Sequence, residues 1–81
     1  MSEPSTRTQV RALIEEATQS EQGSLEDTCS LKALTGWDSM GMVMFMGLVQ
    51  ETLAVELSVF DLRECETPGE LASCVAERLP R

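Results

Sequence analysis

The residue types best suited to chemistry in this chain are gathered at one point: Gly36, Trp37, Asp38, Ser39, Met40 and Gly41, followed by apolar residues as far as Val49. A turn glycine, a carboxylate and a serine directly ahead of an apolar segment read as a helix N-terminus with Asp38 or Ser39 at the cap. A serine so placed stands at the positive end of a helix dipole. A phosphate ester on its hydroxyl would meet free backbone N–H groups there. The same residue types also make an ordinary helix cap. Other chemistry is scarce. The chain has no histidine, so a serine nucleophile activated by an imidazole is unavailable, and a lysine base could come only from Lys32. Three cysteines, Cys29, Cys65 and Cys74, stand at wide spacings that signal neither a zinc site nor a disulfide framework. They read as reduced thiols.

Beyond the serine the pattern continues. Asp38-Ser39-Met40 before an apolar helix, then Val55-Glu56-Leu57, Phe60-Asp61 and Thr67-Pro68 with Leu71 and Val75, resembles the acyl and peptidyl carrier protein family, which binds phosphopantetheine. The likeness runs from about Leu34 to Leu79. Its finer motif, Asp38-Ser39-Met40-Gly41-x-Val43, is most similar to free-standing D-alanyl carrier proteins. The resemblance implies that Ser39 carries a covalent 4′-phosphopantetheine arm derived from coenzyme A, and that Asp38 positions Ser39 for the phosphopantetheinyl transferase that installs it. It further implies an acyl or aminoacyl thioester on the arm, loaded by an adenylating or acyl-transferring enzyme and passed to a downstream acceptor enzyme. No catalytic residue is implied in the chain itself. Carriers of primary fatty-acid synthesis have a strongly acidic second helix, whereas here Met44 and Gln50 stand where acids are common. That departure points to specialised biosynthesis or aminoacyl transfer. Two other classes of function compete: an enzyme using Ser39 as nucleophile, and an unmodified helical module that docks a partner.

Length and charge narrow the field. The 81 residues are read as a single domain, with residues 1–5 frayed. A domain of this size has little interior to spare for a catalytic cavity. Fourteen acidic against six basic residues give a net charge of −8, which disfavours nucleic acid and anionic lipid as partners. The longest apolar run, Met40 to Val49, falls well short of the ~20 residues that span a bilayer. With no basic-then-apolar leader at the start, a monomer in the cytoplasm is expected.

The elements that must position Ser39 follow from apolar spacing. Val10, Leu13, Ile14 and Ala17 recur at i, i+3, i+4 and i+7, which predicts a first helix capped by Ser5 or Thr6. Its Arg11, Glu15 and Glu16 are expected in water. It should end between Ser20 and Gly23, with the glycine supplying a left-handed residue. A long connection to Trp37 carries Asp27, Thr28 and Ser30 as turn formers and Leu25, Leu31 and Leu34 as pins. The second helix is predicted over Ser39 to Ala54. Met42, Phe45, Met46, Val49 and Leu53 form one stripe on it, and Met40, Val43, Met44 and Gly47 lie on a different side. Gly41 and Gly47 weaken it, and their lack of a side chain either lets another backbone come close or has no role. With Trp37, the second side is the expected partner surface, unless another helix covers it. Val55, Leu57 and Val59 read as a short extended link, and Phe60 and Leu62 as the inserting residues of one short helix. Thr67-Pro68-Gly69-Glu70 signals a capping box opening a last helix, ended by Pro80, with Leu71, Cys74, Val75 and Leu79 inward. Cys74 is therefore expected to be buried and Cys29 more accessible. The sum is an all-α fold, a small four-helix bundle of three longer helices and one short helix.

Overall fold

A computed structural model describes residues 6–26 and 28–79. The frayed start, the Ser5 cap, the turn role of Asp27 and the Pro80 stop lie outside the described residues. The architecture is the expected one: α1 (Thr6–Thr18), α2 (Ser39–Leu53), α3 (Val59–Glu64) and α4 (Pro68–Arg78), with a single 3₁₀ turn at Leu31–Ala33 in the long connection. α1 lies against both α2 and α4, while α3 touches α2 over a smaller area. Val10 and Ile14 from α1, Phe45 and Val49 from α2, and Leu71 and Val75 from α4 meet with no exposed surface. Burying each such side chain contributes about 1.5–3 kcal/mol.

The long connection is pinned as its leucines foretold, by Leu25 and Leu31 in the core and Leu34 half-buried. Leu31 also donates its N–H to the Glu66 carbonyl at 2.8 Å, which ties the loop to the strand of chain entering α4. One pin was not foreseen. Glu15, expected in water, is buried, and its Oε2 accepts the Leu25 N–H at 2.9 Å. It gives a partner to a loop amide that would otherwise be orphaned inside the protein.

Helix ends explain two further differences. α1 stops at Thr18, and the left-handed residue that closes it is Gln19 (φ 58°); Gly23 is left-handed as well (φ 84°) but lies further on in the connection. Ser20 N–H bonds to the Glu15 carbonyl and Gln19 N–H to that of Glu16. This paired closure satisfies the carbonyls of the last turn and does not require a glycine when a polar residue accepts positive φ. In α3, Leu62 is buried but Phe60 is 75% exposed. Residues two apart on a helix face roughly 200° apart, so both could not insert. The box that starts α3 decides between them: Ser58 accepts the Asp61 N–H, and Asp61 Oδ2 accepts the Ser58 N–H at 2.8 Å. Val59, expected in the link, is thereby the first residue of α3. At α4, Thr67 accepts the Glu70 N–H and Pro68 occupies the first turn, but the expected box is half made: the Glu70 carboxylate accepts from the Thr67 hydroxyl and not from its N–H.

Candidate functional site

The turn Gly36 to Ser39 is fixed from three directions. Below it, Trp37 is buried and meets Phe45 edge-on, ring centroids 5.5 Å apart; such a pair adds about 0.5–1.5 kcal/mol beyond its burial. Behind it, Gly36 has φ +92°, and a Cβ there would stand 2.8 Å from the Thr18 carbonyl oxygen. The turn therefore rests on the end of α1. In front, a Cβ on Gly41 would overlap the Gly36 carbonyl oxygen. Gly41 is the glycine that admits a neighbouring backbone, whereas nothing approaches Gly47.

Asp38 is the cap of α2. Its Oδ1 accepts the Gly41 N–H at 2.9 Å and its carbonyl accepts the Met42 N–H at 2.8 Å. Ser39 is the first helical residue and is exposed. Its hydroxyl makes no hydrogen bond among the described residues, so the oxygen is free for substitution. Of the N–H groups an anion on Ser39 is expected to meet, that of Gly41 is taken by the Asp38 carboxylate, which adds a negative charge beside the site, whereas those of Ser39 and Met40 have no acceptor among the described residues.

The two sides of α2 separate as predicted. Phe45 and Val49 are buried, with Met42, Met46 and Leu53 packed against the core. On the other side Met40 is 79%, Val43 58% and Met44 47% exposed, and Gly47 is exposed too. Among the described residues no helix covers them. Trp37, grouped with them from sequence, does not belong there: its ring is in the core, where it braces the turn and offers a partner almost no surface. Phe60, exposed on α3, was missed as a surface residue. The Ser58-x-x-Asp61 capping pattern was the signal that could have revealed its outward direction.

The thiols also redistribute. Cys65 is the buried one, and Cys74 and Cys29 are both half-buried. The buried face of α4 centres on Leu71, Ala72 and Val75, which leaves Cys74 at its margin. Burial, reinforced by the neighbouring Cys74, pushes the Cys65 thiol up to about 11. Asp61 is held below the usual carboxylate range, first by the Ser58 N–H and hydroxyl and then by Arg78, whose guanidinium reaches both carboxylate oxygens at 2.9 Å.

This is a small helical bundle in which the Ser39 hydroxyl, unengaged among the described residues, is presented at a braced helix start. Residues 8–75 match the phosphopantetheine attachment site family, and the chain belongs to that family. No curated protein and no solved structure matches the chain. The family attaches 4′-phosphopantetheine covalently, and its domains are carriers that work with a phosphopantetheinyl transferase and partner enzymes. The residues present fit that group, since an exposed serine oxygen stands clear of the bundle at the start of α2. When bound, the arm supplies the group-carrying chemistry, and the chain supplies its attachment. Among the described residues no helix is long and apolar enough to cross a membrane.

Proposed function

We propose that this carrier bears its arm on Ser39 and acts as a monomer in the cytoplasm, presenting an aminoacyl or other specialised acyl group to partner enzymes. The observation that carries the reading is the free Ser39 hydroxyl on a turn held by Gly36, Trp37, Asp38 and Gly41. Ser39 supplies the oxygen of the phosphodiester; Asp38, fixed by the Gly41 N–H, sets the direction in which that oxygen points. Met40, Val43, Met44 and Gly47 form the surface that a loading or acceptor enzyme meets beside the arm. The sparsely acidic second helix and the Asp38-Ser39-Met40-Gly41-x-Val43 motif favour a D-alanyl-carrier-like role with an adenylating enzyme as loader.

Incubation with coenzyme A and a broad-specificity phosphopantetheinyl transferase should add one phosphopantetheinyl mass to the chain and none to Ser39→Ala. Addition that persists in Ser39→Ala would remove the assignment. A folded parent chain that is never modified would instead favour the unmodified docking module, for which the exposed methionine face of α2 would be the contact.

A further inference from the structure

A hollow of about 210 Å³ opens beside the serine turn, lined by Lys32, Trp37, Met42, Leu62, Arg63 and Cys65. Its floor is apolar. Its two remaining residues are cations, and their situation is unusual in a chain with 14 acidic and six basic residues. Arg78 is paired with Asp61, and Arg7 and Arg11 are engaged in interactions of their own. Lys32 and Arg63 have no ion pair or hydrogen bond among the described residues, yet both line this one hollow. The volume lies below the roughly 300–1,000 Å³ typical of whole-ligand pockets, so it suits a fragment.

We propose that this hollow receives the root of the carrier's own arm, with the phosphodiester between Lys32 and Arg63 and the adjoining branched apolar segment over Trp37 and Met42. The inference rests on attachment at Ser39. Chemistry and position both favour that occupant. The arm begins with a monoanion followed, one methylene later, by a carbon bearing two methyl groups, which matches exposed cations above an apolar floor. Trp37 and Met42 stand two residues before and three residues after Ser39, so part of the lining flanks the point of attachment in the chain. The need for such cations is also local. With the Gly41 N–H committed to Asp38, the helix start loses one donor to the phosphodiester and gains a carboxylate of like charge beside it.

The test uses the full chain before and after complete conversion with coenzyme A and transferase, verified by intact mass. Trp37 is the single tryptophan, so its indole N–H resonance is an unambiguous probe, and the Met42 methyl is a second. Both should shift on attachment, and the shifts should be lost in the converted Lys32→Gln/Arg63→Gln protein but kept in Arg7→Gln. In the converted parent they should also reverse as salt is raised from 0.1 M to 1 M, where the Debye length contracts from about 10 Å to about 3 Å. Absence of a shift on a fully converted chain, or a shift that survives both the double substitution and salt, would overturn the proposal. Failure of the Ser39 reading is distinguishable, because conversion itself would then be missing from the parent or persist in Ser39→Ala.

Discussion

Met44 and Phe45 are neighbours in sequence on different sides of α2: the first is 47% exposed and the second has no exposed surface. The same helix presents one side to the core and another to solvent, and both are apolar. Hydrophobicity along α2 is therefore not a guide to burial, since the bundle has too few elements to cover every apolar side. The buried side holds the bundle together. The open side is surplus to folding and available for contact.

The largest expected effect tests that division. Phe45→Ala removes the ring that meets Trp37 and should cost about 3–5 kcal/mol, whereas Met40→Ala and Met44→Ala should stay within about 0.5 kcal/mol. Urea unfolding midpoints decide; equal losses on both sides would erase the comparison. The two glycines of α2 offer a finer cut. Gly41→Ala forces the Gly36 carbonyl away and should destabilise by about 1–3 kcal/mol, with slower modification of Ser39. Gly47→Ala meets nothing and should stabilise by up to about 1 kcal/mol. Modification kinetics and thermal melts of the pair should move in opposite senses.

Function gives a third contrast. Met44→Glu is expected to slow loading by the cognate enzyme several-fold, more than a rise in salt does, because apolar contact worth about 25 cal/mol per Å² is not screened. Loading that collapses with moderate salt and ignores Met44→Glu would mean the partner reads charge. The smallest effect concerns the thiols. At pH 8 Cys65 should react with alkylating reagents more slowly than Cys29. Its thiol is raised in the folded chain from 9.0 to about 11, so its contribution to stability is complete below pH 9 and lost as pH climbs through 11. Cys65→Ala should flatten that alkaline decline in a melt series.

The four helices could be read from the chain because periodic apolar spacing and local caps determine them. Asp38 and the Thr67-Pro68 start are settled within a few residues, and so is the exposed placement of Ser39. What escaped reading depends on distant partners. Glu15 is buried only because Leu25 returns ten residues later with an unpaired amide, and nothing local to a helix-surface glutamate announces that. Trp37 could as well have faced a partner until Phe45 was seen to lie beneath it. Phe60 is the exception, since the Ser58 box beside it was local and went unread. Lys32 and Arg63 carry no sequence signal of their meeting. They come to one hollow through the packing of the loop against α3.

The Asp61 carboxylate has a consequence for motion. α3 spans only 6 residues, far too few to persist as an isolated helix. One carboxylate both starts it and, through Arg78, fastens it to the last turn of α4. Local opening of this segment should therefore run ahead of global unfolding, with amide hydrogen exchange in α3 outpacing that in α1 and the middle of α2. Because Leu62 leaves the core whenever α3 opens, the wall beside the serine turn is hinged while the turn itself stays braced. The carrier would then keep a still anchorage for its arm next to a segment that can breathe.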